Sequence, residues 1–239
     1  NTTRRRVLGV ITEGNAQVTL YDTPGINEIQ DAKQYPRDLA TEAWDGVADT
    51  DVAMVVLDAA KHIGGPELFL LHKCSEVKTQ VPHIKWVLTL NKIDLVQPKD
   101  RLLDILYRIQ TLMPFDDCFM ISGLDGDGVA DLEQYFYMNS IPRDWEHAEE
   151  TKTDLTDIQL ATELIRETLY HRLNKEIPYT VQQETVEWQT LDNGTLRLDQ
   201  RLIVRRAQHK NILIGANGAA LHAITKAAQE RLETASHRK

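Results

Sequence analysis

The spacing of hydrophobic positions changes several times along the chain, and each change marks an element. Val7-Leu8-Gly9-Val10-Ile11 and Val18-Thr19-Leu20-Tyr21 are short apolar runs on either side of Glu13-Gly14-Asn15, a hairpin turn between two strands. Residues 52–58 form a continuous apolar run, the pattern of a strand buried on both faces of a parallel sheet. Trp86-Val87-Leu88-Thr89-Leu90 and Phe119-Met120-Ile121 read as two further strands. Pro66 suits the first turn of a helix over 66–79. Leu102, Leu103, Leu106, Ile109 and Leu112 recur near helical spacing and predict a helix over 99–112, and 129–139 reads as a third. Strands alternating with helices predict an α/β fold with a parallel sheet and right-handed crossovers.

After residue 140 the pattern shifts. The charged stretch 141–156 reads as a linker between a domain over 1–140 and a second over 157–239. Asp157 is placed to cap a helix over 158–174 with the apolar stripe Ile158, Ala161, Ile165, Leu169 and Leu173. Strands at 179–189 and 195–204 flank Asp192-Asn193-Gly194, a strong hairpin signal. Ile214-Gly215-Ala216-Asn217-Gly218 then leads into a helix carrying Leu221, Ile224, Ala228 and Leu232. This order predicts a small α+β domain.

Composition adds little to the fold and more to the choice of partners. The 239 residues suffice for two modest domains, with 42% hydrophobic content. No apolar run approaches the ~20 residues of a membrane span, and peripheral membrane contact has no support. Cys74 and Cys118 lack metal-ligand spacing, which points to a reducing compartment. The N-terminus has the pattern of neither a signal peptide nor a clean transit peptide. Residues 1–150 hold 14 Lys and Arg against 25 Asp and Glu, whereas 151–239 hold 13 against 11. The second half is therefore the better candidate for a nucleic-acid surface.

Candidate chemistry gathers at strand ends. Asp22-Thr23-Pro24-Gly25 follows a strand: Asp22 is placed to accept from a metal-bound water, and Gly25 lets its N–H approach a terminal phosphate. Asn91-Lys92-Ile93-Asp94 follows another, where a carboxylate accepts two N–H groups from a guanine edge that adenine lacks. Ser122-Gly123-Leu124 follows a third. Ligands of parallel α/β sheets sit at these carboxyl ends.

With Asn1-Thr2-Thr3-Arg4, Asp22-Thr23-Pro24-Gly25, Asn91-Lys92-Ile93-Asp94 and Ile121-Ser122-Gly123, the first half resembles the Era GTPases. Leu164-Ile165-Arg166-Glu167, Pro178-Tyr179-Thr180-Val181 and the Gly215–Gly218 turn extend the resemblance to the KH domain that this family carries. The resemblance implies a GTPase using GTP and Mg²⁺, with a monovalent cation such as K⁺ as a further ion. Thr2 or Thr3 would ligate magnesium with Asp22. Asp22, Thr23, Pro24, Gly25, Asn91, Lys92, Asp94, Ser122, Gly123 and Leu124 would hold the nucleotide. It also implies that Ile214, Gly215, Ala216, Asn217 and Gly218, with Lys210, Arg205 and Arg206, hold the 3′ region of small-subunit rRNA. Ribosomal assembly intermediates and assembly-factor proteins would be partners. The glycines at 215 and 218 would leave room for RNA backbone.

Departures from the family pattern qualify this. The phosphate-cradling G-x-x-x-x-G-K-[ST] loop does not occur in these residues. Either it lies upstream of Asn1, or the chain is a non-catalytic GTPase-like scaffold. The family's third KH strand and last helix would likewise follow Lys239. Ala216-Asn217 replaces the usual basic loop residue, and Ser122-Gly123 replaces Ser-Ala. Ile26 stands where many GTPases orient water with Gln, an apolar position in this family. No residue is thereby assigned a catalytic role. The altered turn and acidic first half favour a mitochondrial matrix member over one of the bacterial cytoplasm.

Overall fold

A computed structural model describes residues 7–23, 46–174, 177–192 and 195–236. The chain divides into two compact units, with the boundary between Thr153 and Asp154.

The first unit opens with an antiparallel hairpin, β1 (Val7–Glu13) and β2 (Ala16–Asp22), in which Val7 faces Asp22. A second, three-stranded sheet contains β3 (Val52–Asp58), β4 (Lys85–Asn91) and β5 (Asp117–Met120), all parallel. The crossovers are α1 (Gly65–Gln80) and α2 (Arg101–Leu112), and α3 (Val129–Met138) follows β5. Pro66 stands in the first turn of α1, and Glu67 closes that turn by accepting from the Gly64 N–H.

One face of this sheet carries the main core. Ala53, Val55 and Leu57 of β3 and Trp86, Leu88 and Leu90 of β4 cluster with Leu71 and Cys74 of α1 and Leu102 and Ile109 of α2. On the other face Val87, Ile121 and Leu132 form a smaller core with α3. β4 is thus buried from both sides, as its unbroken apolar run requires. β3 is not. Met54 and Val56 are 39% and 48% exposed, although they share the face of buried Val87 and Thr89. The α2 stripe is also narrower than expected: Leu102 and Ile109 are buried, but Leu103 and Leu112 face solvent.

Residues 141–153, read as linker, lie against the hairpin. The Val10 N–H donates to Lys152 O at 2.9 Å, and Gly9 bridges Thr153. Gln17 and His147 exchange two hydrogen bonds of 3.0 Å, and Arg143 pairs with Asp51 beside β3.

The second unit is built from α4 (Asp157–Arg172), the short turn α5 (Ile177–Thr180), an antiparallel pair β6 (Gln182–Thr190) and β7 (Leu196–Ile203), then α6 (Ala207–Ile214) and α7 (Ala219–Ser236). Its core is Ile165, Leu169, Leu173, Leu213, Ile224 and Ala228. Two expectations are corrected here. The cap of α4 is Thr156 rather than Asp157, because Thr156 and Gln159 exchange side-chain and backbone hydrogen bonds in a capping box. Tyr179 and Thr180 belong to a helical turn rather than to the start of a strand, since Pro178 before them suits a first helical turn.

Adjacent leucines of α2 test this packing. Leu102→Ala is expected to lower unfolding free energy by about 2–5 kcal/mol, and Leu103→Ala by no more than about 0.5 kcal/mol, measured by urea denaturation. Equal losses would contradict the burial pattern.

Candidate functional site

Parallel register brings the carboxyl ends of β3, β4 and β5 side by side. Asp58 and Asn91 are register partners, and Leu90 pairs with Met120. Asn91 ties together the loops beyond these ends. Its Oδ1 accepts the Lys92 N–H at 2.7 Å and the Gly123 N–H at 2.9 Å. The Ile93 N–H donates to Ile121 O at 3.2 Å. The loop after β4 is therefore bonded to the loop after β5. Ser122 is buried, and its backbone N–H and O engage Asp127 and Gly126. Its Oγ accepts the Asp125 N–H at 3.2 Å. Leu124, at the tip, is 86% exposed. A methyl group at Gly123 would meet Asn91 Oδ1 at 3.4 Å, ordinary contact, so glycine or alanine fits there.

Two features of this loop point to a ligand. Lys92 has φ +65°, a left-handed conformation costing about 1 kcal/mol or more in a long side chain. Asp94 Oδ1 is buried and has no hydrogen-bond partner among the described residues. A carboxylate oxygen so placed has lost water without gaining a donor. A ligand presenting N–H donors would satisfy it, and the N–H edge of guanine is of that kind.

Asp22 and Thr23 are exposed at the end of β2. Thr2, Thr3, Pro24, Gly25 and Ile26 lie outside the described residues. Among the described residues no three His, Cys, Asp or Glu side chains converge as a metal cluster. The donor set still suits magnesium, which takes one or two protein oxygens and completes its shell with phosphates and water. Asp22 and one threonine hydroxyl are of that kind.

In the second unit the predicted turn lies between α6 and α7. Gly215, Asn217 and Gly218 have φ of +73°, +50° and +80°. Ala216 and Asn217 are exposed, and Ile214 is half-buried. Arg205, Arg206 and Lys210 are exposed and form no ion pair among the described residues. The reason for Gly215 differs from expectation. A Cβ there would lie 2.6 Å from Ala220 Cβ, so its missing side chain already serves to admit the protein's own helix. At Gly218 the Cβ position is open, and only the backbone angle requires glycine.

Comparison with known proteins identifies the family of each half of the chain. A family described as 50S ribosome-binding GTPase matches residues 1–92, and one described as KH domain matches 176–239. GTPase Era of Brucella suis is 38% identical over 232 residues, covering 97% of this chain and 72% of that protein. This chain belongs to the Era GTPase family. GTP-binding protein ERG of Arabidopsis thaliana is 34% identical and covers 100% of the chain, which spans 55% of that longer protein. A crystal structure of Era in complex with MgGDPNP and nucleotides 1506–1542 of 16S ribosomal RNA superposes with a TM-score of 0.80 at 26% identity. It covers 99% of this chain, which matches 78% of that one.

The Era fold read from the sequence, a parallel-sheet GTPase domain followed by a KH domain, is therefore correct. One residue at these strand ends was not singled out by the sequence. Asp58 Oδ2 binds Lys92 Nζ at 2.7 Å, and Asp58 Oδ1 accepts the Ala60 N–H at 3.0 Å. Burial pushes the Asp58 carboxyl up. The bonds from Lys92 and Ala60 outweigh that and hold it below its ordinary value. The available signal was its position at the end of the strand preceding the Asn-Lys-x-Asp run.

The glycine geometry predicts unequal effects. Gly215→Ala should destabilise the KH domain by about 2–4 kcal/mol through overpacking and strain, and Gly218→Ala by about 1 kcal/mol through backbone angle alone. Thermal unfolding followed by circular dichroism measures both, and equal losses would show that Ala220 moves aside freely.

Proposed function

We propose that this protein is a GTP-dependent assembly factor of the small ribosomal subunit that binds the 3′ region of its rRNA through the KH domain. The observation that carries the nucleotide half is the buried, donorless Asp94 Oδ1 beside the Asn91–Gly123 bond. Asp94 reads the N–H edge of guanine, Lys92 lines the base, and Ser122, Gly123 and Leu124 close its far side. Asp22, with Thr2 or Thr3, serves Mg²⁺, Thr23, Pro24 and Gly25 approach the γ-phosphate, and a K⁺ ion is a further neutralising charge. When bound, Mg²⁺ would neutralise charge on the phosphates.

Phosphate binding needs a loop that the described residues do not supply. Neither β2 nor β3 has a further strand partner among them, and Met54 and Val56 offer an apolar face beside the free edge of β3. A parallel strand there, with a helix over those side chains, would carry the G-x-x-x-x-G-K-[ST] segment. Its presence upstream supports turnover. Its absence, or loss of its lysine, favours a scaffold that binds RNA or ribosomal proteins without hydrolysis. The acidic first unit and the Ala216-Asn217 turn support a mitochondrial matrix protein, and a matrix-targeting segment upstream tests that.

Competition binding with GTP, ATP and XTP tests the guanine site. Wild type should prefer GTP, and Asp94→Asn should lose about a hundredfold in GTP affinity while gaining affinity for XTP. Equal wild-type affinity for ATP and GTP would overturn the assignment.

The RNA site has a cleaner test than removing its glycines. Ala216→Asp/Asn217→Asp adds two negative charges at exposed positions and keeps both glycine angles. Affinity for a single-stranded small-subunit rRNA 3′ fragment should fall at least about tenfold, with an unchanged circular dichroism spectrum. Unchanged affinity would make the turn a structural connection only.

A further inference from the structure

The nucleotide site contains an ion pair that neither guanine recognition nor fold stability explains. Lys92 takes a left-handed conformation, and its ammonium sits 2.7 Å from Asp58 Oδ2. The two side chains come from different strand ends, 34 positions apart in sequence, joined through the register of β3 with β4. Asp58 is only 19% exposed at its side chain, while Lys92 is 51% exposed. A pair with one solvated partner contributes little to stability. Its geometry is nevertheless tightly defined from the Asp58 side. The Ala60 N–H holds the other carboxylate oxygen, the Ala59 N–H donates to Asn91 O at 2.8 Å, and the Lys61 N–H donates to Asp58 O at 3.2 Å. The Oδ1 bond is independent of Lys92, so the carboxylate is oriented by its own loop. The lysine must come to it.

We propose that Asp58 is a positioning residue for nucleotide binding: it fixes the Lys92 side chain across the mouth of the guanine site. A free lysine samples many rotamers, and immobilising one on binding costs side-chain entropy. Asp58 orders it before the ligand arrives. The aliphatic stem, anchored at a rigid backbone and at a half-buried carboxylate, then spans the loop as a wall for the flat face of the base. The proximal charges bearing on this pair are Lys61 and the two partners themselves. The inference rests on the guanine-nucleotide reading above and adds to it a residue outside the Asn-Lys-x-Asp run.

A double-mutant cycle on the full-length protein tests it, with equilibrium binding of a fluorescent GDP as the readout. Asp58→Asn keeps the Ala60 bond but removes the charge that holds Lys92. It should weaken GDP binding about tenfold, with thermal unfolding of the nucleotide-free protein unchanged. The same substitution in a Lys92→Met background should have no effect, because no ammonium remains to be placed. Asp58→Glu should recover part of the loss. Wild-type affinity in Asp58→Asn would overturn the proposal, as would an equal loss in both backgrounds, which would mark Asp58 as structural. If wild type itself fails to bind GDP, the guanine reading falls and not only the role of Asp58.

Discussion

The nucleotide half of the molecule depends on one oxygen atom. Asn91 Oδ1 receives N–H groups from two loops, Lys92 on its own and Gly123 on the next, and so converts two strand ends into one surface. Without it, two backbone donors and a strained lysine would need new partners at once. The bond is effective because β4 cannot move. Trp86 through Leu90 are buried on both faces of the sheet, and the Trp86 N–H is held by Asp116 at 2.7 Å. Packing fixes the strand, the strand fixes Asn91, and Asn91 fixes the loop that bears Asp94.

The KH domain solves a similar problem by contact rather than hydrogen bonding. Its turn reverses the chain between α6 and α7 closely enough that no side chain fits at Gly215 against Ala220. That close approach leaves Ala216 and Asn217 outward and places the turn at the start of α7, where peptide dipoles favour anions. The two non-glycine residues with left-handed backbone among the described residues, Lys92 and Asn217, both occur at the candidate ligand sites.

Much of this was legible in advance, for reasons that differ between residues. Residues 52–58 and 86–90 are strands because their apolar runs are too short for helices and too continuous for a solvated face. Asn-Lys-x-Asp and the spaced glycines are local motifs, readable without a fold. The failures differ in kind: the cap was a local signal passed over, and the others required contacts that only the fold supplies. Thr156 and Asp157 are both good caps, and only the reach of Gln159 chose between them. Leu103 fits a helical stripe but lies outside the sector that the sheet covers. Gly215 was assigned to an external ligand because Ala220, its real neighbour, could be identified only from the closed turn. The pairing of Asp58 with Lys92 was not readable, since it is set by strand register across the intervening crossover.

The unpaired oxygen of Asp94 has a thermodynamic consequence. A buried acceptor without a donor costs a fold roughly 1–3 kcal/mol, and a ligand that donated to it would remove that cost. Binding and folding of the first unit are then linked equilibria. At a ligand concentration a hundred times the dissociation constant the folded form gains about 2.7 kcal/mol. The midpoint of thermal unfolding for that half of the molecule would then depend on the guanine-nucleotide pool, whereas the second half would respond to RNA instead.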